Sequence, residues 1–280
     1  MFKNMPELPE VETIRIQLEK FLTGREIIGV EVRSRKILAD GEKNLPGGKI
    51  IGVRRFGKVV VIDFDNGYSA LIHLKLTGQL VFQGPNLPGK HTHVIFDLDG
   101  GKKLYFNDLR KFGWIKIAKS EEVIADSFIG KLGPEPFVGQ ASSGQAPLTL
   151  EKFKEILAKS GRPIKILLMD QTKISGLGNI YANEALWLAG IDPRRAPKNL
   201  KTEEIKKLYD SIHSVLKKGI KYGGASDQAY IQPSGEEGKY QEHFLVYGRE
   251  GEVCTGCKKT KIEKIKLGGR GTYWCPFCQV

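Results

Sequence analysis

The sequence predicts an α+β protein: an N-terminal antiparallel β-sandwich with a flanking helix, then a helical region, then a C-terminal four-cysteine zinc finger. Three observations support this prediction. Eight short segments with strand character follow one amphipathic helix, and beyond residue 148 the apolar period becomes helical. All four cysteines lie within the last 27 residues.

The first helix is predicted over Pro9–Phe21, where apolar residues recur at helical spacing, and Gly24 is placed to end it. Turns rich in Gly, Asn and Asp separate the segments that follow, which favours antiparallel pairing in a sandwich. The predicted strands are Ile27–Ile37, Lys49–Arg54, Lys58–Phe64, Ser69–Leu74, Gln79–Phe82, His93–Leu98, Lys103–Phe106 and Trp114–Ile117.

An interdomain linker is predicted where Gly133–Pro136 and the Gly-, Ser- and Gln-rich stretch Gly139–Pro147 interrupt both periods. Beyond it, three segments that begin near Leu150, Ala182 and Ile205 carry an apolar face at helical spacing. We therefore expect a sandwich domain over 5–133, a linker over 134–148, a helical domain over 149–248 and a finger over 249–280.

The composition is basic, with 44 Lys and Arg against 32 Asp and Glu, a formal charge of +12 and a pI near 9.4. This balance favours a nucleic-acid partner, although other classes of protein are equally basic. At 40% hydrophobic residues, the chain of 280 residues can form one large or two medium domains. No run of 18 apolar residues and no signal-peptide pattern occurs, so the sequence predicts a soluble, intracellular protein without a membrane partner.

The cysteines form two pairs, Cys254-x-x-Cys257 and Cys275-x-x-Cys278, separated by 17 residues. This spacing is typical of a closed, structural zinc site; two disulfides or free thiols are the alternative. Six cations and one acid lie between the pairs. The glycine-rich turn should direct Arg270 outward, where a guanidinium suits a phosphate, unless the loop is only a solvated surface.

The segment Met5-Pro6-Glu7 is arranged to provide a nucleophile. If Met5 is removed, Pro6 carries a secondary amine that can attack a sugar C1′ and form an iminium ion, with Glu7 as the acid and base beside it. The alternative is that Pro9 merely begins a helix. Residues Met1–Asn4 precede this segment, and an internal Pro6 has no free amine, so we expect the native chain to start at Met5.

A phosphate-binding turn is predicted at Gly176–Asn179, because two glycines and an amide donor stand directly before a helix. By itself this pattern is equally typical of an ordinary turn.

Four motifs together resemble one family, the bacterial formamidopyrimidine-DNA glycosylases (Fpg or MutM). They are Pro6–Thr13, Asn107–Gly113, Gly178–Ala182 and the C-terminal finger, which occur in the family's order within a resemblance that spans residues 5–279. The resemblance implies a helix-two-turn-helix module in the helical region and DNA bound in a cleft between the halves. It also implies a bifunctional glycosylase and AP lyase in base excision repair, which removes oxidised purines such as 8-oxoguanine and formamidopyrimidines through a proline Schiff base.

The resemblance also implies roles for individual residues. The catalytic set would be Pro6, Glu7, Lys58 and Arg270, with Glu10 as a supporting carboxylate. The DNA-binding set would be His73, His91, Arg110, Asn179 and Tyr247. Leu76, Arg110 and Phe112 would insert into the duplex, and Cys254, Cys257, Cys275 and Cys278 would hold one structural Zn²⁺. The partner would be damaged double-stranded DNA, bound by a monomer in the bacterial cytoplasm near the nucleoid.

Two positions depart from the family pattern. Leu76 stands where methionine is usual, a mild change in volume and polarity. Gln228 stands where a basic residue is common in the loop that reads the extruded base, which leaves the preferred lesion open. One alternative is an endonuclease VIII-like enzyme for oxidised pyrimidines, although such relatives usually begin Pro-Glu-Gly-Pro. A second alternative is a non-catalytic DNA-binding protein, which would apply if Met1–Asn4 are retained.

Overall fold

The computed structural model describes residues 5–84, 87–136, 145–226 and 230–280. The described residues fold into two compact units. The N-terminal unit contains residues 5–131 and the described part of 222–239, and the C-terminal unit contains the remainder from residue 132 onward. Among the described residues, none of the helices has the length and apolar character needed to cross a bilayer.

The N-terminal unit contains one helix, α1 (Leu8–Leu22), and eight strands. The strands are β1 (Ile27–Val32), β2 (Ile50–Phe56), β3 (Val59–Phe64), β4 (Tyr68–His73), β5 (Gly78–Phe82), β6 (Thr92–Leu98), β7 (Lys103–Asp108) and β8 (Trp114–Lys119). They form two antiparallel sheets with the orders β1–β6–β7–β5 and β2–β3–β4–β8. The predicted sandwich is therefore confirmed.

The core of this unit combines the apolar face of α1 with strand residues from both sheets. Val11, Ile14 and Leu18 are fully buried in one cluster with Val60 and Phe106. Helix α1 is buried on all sides over Leu8–Ile14, whereas in its second half Leu18 and Leu22 face the core and Ile16 and Lys20 face water.

The first predicted strand, Ile27–Ile37, was too long. Pairing with β6 ends at Val32, and Ile37 N–H bonds to the Ser34 carbonyl in a turn instead. Ile37 is nevertheless almost fully buried. The four polar residues between Val32 and Ile37 interrupt the apolar alternation, so the sequence did contain a signal for the end of the strand.

The described part of residues 222–239 packs within the N-terminal unit, although the sequence-based boundaries include it in the helical domain. Phe82 N–H donates to the Pro233 carbonyl at 2.8 Å, and Gln17 Nε2 donates to Gln232 Oε1 at 2.5 Å. Both partners lie far away along the chain, which no local pattern can detect.

The C-terminal unit contains four helices and one hairpin among its described residues. They are α2 (Leu150–Ala158), α3 (Ile164–Leu168), α4 (Asn179–Ala189), α5 (Thr202–Lys221), β9 (Glu263–Leu267) and β10 (Arg270–Trp274). The predicted apolar faces supply buried residues such as Phe153, Ala185 and Leu208. Helix α3 was not predicted because five residues are too few to establish a helical period.

Candidate functional site

The start of α1 is organised by two glutamates. Glu7 is the N-cap residue, and Glu10 Oε2 accepts a hydrogen bond from its backbone N–H at 2.8 Å while the Glu7 carboxylate accepts one from Glu10 N–H. This capping box satisfies two of the helix's unpaired donors. Pro6 and both glutamates are buried. The structure thus brings the predicted nucleophile and acid together at the positive end of the α1 dipole.

Glu10 also holds a second segment. Its Oε1 accepts a hydrogen bond from Ala225 N–H at 2.8 Å, and Tyr230 Oη donates to the Glu10 carbonyl at 3.3 Å. Burial and the nearby Glu10 charge raise the pKa of Tyr230 well above its usual value, so its hydroxyl stays protonated as a donor. These two residues flank the predicted base-reading loop, while Gln228 itself lies outside the described residues.

Gly224 must be glycine for this contact. Its φ of +83° is unfavourable for other residues, and a Cβ there would lie 2.8 Å from Glu10 Cγ. The close approach of backbone to carboxylate therefore depends on the missing side chain.

Lys58 lies in the tight turn between β2 and β3. The last ladder pair is Phe56–Val59, so only Gly57 and Lys58 form the turn. The Lys58 side chain is largely buried. Val59 pairs with His73 across β3 and β4, which brings the predicted Lys58 and His73 to the same end of this sheet.

His73 is a neutral imidazole in this environment. Burial, followed by the charges of Lys75 and Lys58, lowers its pKa to about 3. Lys75 N–H donates to His73 Nδ1 at 3.0 Å, so the ring proton is on Nε2. The Trp114 and Phe128 rings pack against the imidazole at 5.6 and 5.3 Å between centroids. His73 can therefore contact a phosphate as a neutral donor and not as a cation.

A surface loop between β7 and β8 carries Arg110 and Phe112. The Asp108 carboxylate, fully buried, accepts hydrogen bonds from the backbone N–H of Arg110 at 3.0 Å, Phe112 at 2.9 Å and Gly113 at 2.7 Å. It also accepts a short bond from the Thr77 hydroxyl, and that hydroxyl oxygen accepts from Arg110 N–H at 3.0 Å. One carboxylate thus shapes the loop and joins it to the neighbour of Leu76.

The three predicted inserting residues are consequently brought together in this unit. The Phe112 side chain is 47% exposed despite its size. The Arg110 guanidinium lies 4.7 Å from the centre of its ring, a cation–π contact that orders both groups. His91 borders the same loop, since its carbonyl accepts from Asp108 N–H at 2.9 Å. Leu109, which is 53% exposed, adds apolar surface that the sequence had not singled out.

In the C-terminal unit, a buried acid positions Tyr247. Glu184 is fully buried on α4, and its carboxylate accepts hydrogen bonds from the backbone N–H of Leu245 at 2.8 Å, Val246 at 3.0 Å and Tyr247 at 2.9 Å. Burial raises the pKa of Glu184, while these bonds act to lower it. The Tyr247 ring packs at 5.0 Å on Tyr273 of β10.

Asn179 is the first residue of α4, so the helix begins one residue earlier than the sequence predicted. Its carbonyl accepts from Asn183 Nδ2 at 2.6 Å, and Asn183 Oδ1 accepts from Tyr273 N–H at 2.9 Å. Asn179 Oδ1 is buried without a hydrogen-bond partner among the described residues. The first turn of α4 and the strand that carries Arg270 are therefore linked through one asparagine, Asn183.

Arg270 begins β10 and is exposed, as its glycine turn predicted. Gly268 and Gly269 have positive φ values of +55° and +77°, which suit a two-residue hairpin turn. Behind the strand, Lys165 is fully buried, and its ammonium donates to the Gly271 carbonyl at 2.9 Å and to Thr272 Oγ1 at 2.7 Å.

The four cysteines converge on one point. All four ligand sulfur atoms lie within 4.8 Å of one another, and no disulfide joins these four cysteines. Sulfur–sulfur distances are 3.8 Å between Cys254 and Cys278 and 3.7 Å between Cys257 and Cys275. A disulfide would need about 2.05 Å. The cluster can therefore bind a metal ion.

The sequence analysis did not identify Glu184 and Asp108 as buried carboxylates that accept hydrogen bonds from loop backbone N–H groups. A signal existed for Glu184, because a carboxylate on the otherwise apolar face of α4 must be paired when buried. For Asp108 the signal was its position at the end of a strand before an irregular loop, where Asp side chains often accept nearby N–H groups.

Comparison with known proteins gives a consistent match. Residues 5–115 match the sequence profile of the formamidopyrimidine-DNA glycosylase N-terminal domain, and residues 132–230 match that of the H2TH domain of these enzymes. The chain is 42% identical over 281 residues to the formamidopyrimidine-DNA glycosylase of Pelotomaculum thermopropionicum, covering 98% of this chain and 99% of that protein. The Streptococcus mutans enzyme of the same name is 40% identical over 280 residues, with 98% and 99% covered.

Solved structures agree. The complex between wild-type Lactococcus lactis Fpg (MutM) and DNA containing N7-benzyl-Fapy-dG has a TM-score of 0.87 and 37% identity, covering 98% of this chain and 99% of that chain. The complex of Lactococcus lactis Fpg with DNA containing an abasic site gives the same values.

The neutral state of His73 predicts a pH dependence of stability. Below pH 6.5 the unfolded chain binds a proton at this residue and the folded chain does not until pH about 3, so the free energy of unfolding should fall as pH falls through this window. By pH 4 the loss should be on the order of 3 kcal/mol. His73→Asn, which can still accept from Lys75 N–H, should show a shallower fall in urea titrations between pH 7 and pH 4. His243→Gln, at a partly exposed site, serves as the control; identical slopes for wild type and His73→Asn would contradict the assignment.

Proposed function

The chain belongs to the formamidopyrimidine-DNA glycosylase family, and we propose that it excises oxidised purines from duplex DNA with Pro6 as an amine nucleophile. It is a DNA glycosylase, because enzymes of this name align with almost its whole length at about 40% identity. The observation that carries the mechanism is the start of α1. There the buried Glu7 adjoins Pro6 and is held in place by reciprocal hydrogen bonds with Glu10.

In the proposed reaction, the Pro6 lone pair attacks C1′ of the damaged nucleotide, the base leaves with the electrons of its bond to C1′, and the proton lost by the proline nitrogen neutralises the departing base. The iminium forms when the bond from C1′ to the ring oxygen then breaks. Glu7 supplies a proton to the opening sugar ring and later removes one. The proline nitrogen carries two ring carbons, so the resulting iminium cannot lose its charge by deprotonation. It therefore withdraws electrons from the sugar and promotes elimination at the abasic site, which accounts for a lyase step.

DNA binding is supported by relatives solved as complexes with damaged DNA. We assign base replacement to the loop organised by Asp108: Phe112 and Leu76 would restore stacking, and Arg110 would pair with the widowed base. We assign phosphate contacts to His73, His91, Asn179, Tyr247 and Arg270, with Lys58 near the lesion phosphate. Arg270 would also assist the final elimination.

We propose that the metal is one structural Zn²⁺. Bonds of about 2.3 Å to four thiolates in a tetrahedron place neighbouring sulfur atoms about 3.8 Å apart, which fits the two sulfur–sulfur distances in the cluster. Four cysteine ligands leave no open position for a substrate, so the metal would stabilise the hairpin that carries Arg270.

The mechanism predicts that a free amine at Pro6 is essential. Protein that starts at Pro6 should excise 8-oxoguanine or formamidopyrimidine, nick the strand and become trapped on DNA by borohydride. Protein that starts at Met1 should bind the same DNA without trapping through Pro6, because its amide lone pair is delocalised. In the Pro6-start protein, Glu7→Gln should slow excision by about 10²–10⁴-fold in single-turnover assays and still bind, whereas the exposed Glu26→Gln should behave like wild type.

Equal trapping of both forms, with Met1 still attached by mass spectrometry, would assign the nucleophile to another amine such as Lys58. Faster excision of oxidised pyrimidines than of 8-oxoguanine in the same assay would favour the endonuclease VIII-like alternative.

The metal proposal predicts one zinc per chain by elemental analysis. Chelation, or Cys275→Ser, should release the metal and weaken DNA binding strongly, because an apo finger cannot hold its hairpin. Thr255→Ala, at an exposed position inside the first cysteine pair, should retain both metal and affinity. Full activity in protein that contains no zinc would rule out a zinc-dependent finger.

The contact assignments predict two distinguishable effects. Arg270→Ala should weaken binding to damaged and undamaged duplexes alike and reduce the slope of log affinity against log salt by about one, since phosphates carry no sequence information. Phe112→Ala should reduce preference for the lesion and leave the salt slope unchanged. Affinity titrations from low to moderate salt measure both; an unchanged slope for Arg270→Ala would remove it from the phosphate contacts.

A further inference from the structure

A buried ion pair connects α1 to the turn that contains Lys58. Arg55 Nε donates to Glu12 Oε2 at 2.7 Å, and the two side chains are only 2% and 6% exposed. The same guanidinium donates through Nη1 to the Gly57 carbonyl at 3.0 Å. One planar group therefore bonds a helix carboxylate and a turn carbonyl at once.

Glu12 is also held from its other side. Arg15 Nε donates to Glu12 Oε1 at 2.9 Å, one turn along α1. With each carboxylate oxygen bonded to a different arginine, Glu12 has little rotational freedom. Its position is thereby fixed relative to Glu7, the N-cap residue of the same helix.

A pair of this kind is poorly explained by stability alone. Removing two charges from water is costly, and apolar residues of similar volume often make a fold equally stable. What apolar residues cannot supply is a directional bond to the Gly57 carbonyl. The special contribution of Arg55 is thus the geometry of the turn.

The turn that receives this bond lies beyond the regular pairing of the sheet. The last ladder pair of β2 and β3 is Phe56–Val59, and Gly57 and Lys58 follow it. Gly57 has a φ of +54°, in the region that glycine adopts most readily. Rotation of the peptide between Gly57 and Lys58 would redirect the Lys58 side chain, and the bond from Arg55 to the carbonyl of that peptide opposes this rotation.

We propose that Glu12 and Arg55 are positioning residues that fix the direction of Lys58 relative to the start of α1. The proposal rests on the proposed function, in which Lys58 acts beside the damaged nucleotide. Neither residue touches DNA in this role. Their effect passes through one carbonyl bond, so it should appear in the rate of the chemical step and much less in DNA affinity.

The main test is Arg55→Met, in Pro6-start protein with 8-oxoguanine DNA. Single-turnover excision should fall by about 10- to 100-fold, the range expected when a catalytic group shifts by about 1 Å, while the Kd for damaged DNA changes less than about threefold. Arg54→Met is the matched control, because Arg54 pairs bidentately with Asp63 at 2.5 and 2.7 Å on the neighbouring strand and not with the turn. Arg54→Met should excise at the wild-type rate.

The double variant Glu12→Gln/Arg55→Met separates positioning from stability. It removes the buried carboxylate charge that Arg55→Met leaves with one arginine in place of two, while Arg15 keeps Glu19 as an ion-pair partner at 4.0 Å. Its melting temperature should therefore recover toward wild type if Arg55→Met alone is destabilised. Its excision rate should stay low, because the bond to the Gly57 carbonyl is still missing. Recovery of the rate together with the melting temperature would overturn the proposal.

A cycle with Lys58→Ala identifies the residue through which the pair acts. If Arg55 acts through Lys58, adding Arg55→Met to Lys58→Ala should slow excision no further. Additive losses would overturn the proposal. A Lys58→Ala protein that excises at the wild-type rate would show instead that the proposed role of Lys58 is wrong. Slow excision by Lys58→Ala together with a wild-type rate for Arg55→Met would overturn only the positioning role of Arg55.

Discussion

Glu10 bonds two segments of the N-terminal unit that the sequence separates by more than 200 residues. One carboxylate oxygen accepts from the backbone of Glu7 at the start of α1, and the other accepts from the backbone of Ala225. A buried carboxylate must have its oxygens satisfied, and here both are satisfied by main-chain N–H groups. The helix start that carries Pro6 and the base of the predicted base-reading loop therefore cannot move independently of this side chain.

The same constraint recurs twice. Asp108 accepts hydrogen bonds from three backbone N–H groups of the loop that carries Arg110 and Phe112. Glu184 accepts hydrogen bonds from the backbone N–H groups of Tyr247 and the two residues before it. Irregular segments lack the ladders that satisfy backbone donors in helices and strands, so they need another acceptor. In each unit, a buried acid on regular structure supplies that acceptor. Predicted DNA-contacting side chains are thus placed on loops whose backbone is rigidly defined.

Buried acids and exposed cations occupy different places in this protein. Some of the acids, such as Glu12 and Asp108, are buried and bonded within the protein, whereas cations such as Arg110 and Arg270 are exposed. The net charge of +12 is therefore available to a polyanion. His73 is an exception, since its burial between aromatic rings removes its charge and leaves a neutral donor.

The sequence by itself determined the sandwich, the helical region and the cysteine cluster, because alternation, helical spacing and Cys-x-x-Cys pairs are local patterns with direct physical meaning. It also placed the Pro6 and Glu7 pair, since neighbours in the chain remain neighbours in space. It could not tell Arg54 from Arg55: adjacent strand residues face opposite sides, but only the packing of α1 decides which side is buried against Glu12. Long-range partners such as Glu10 and Ala225 were likewise decided by the tertiary structure. The sequence shows that a glutamate can accept hydrogen bonds, but which N–H group donates to it depends on how distant segments of the chain pack.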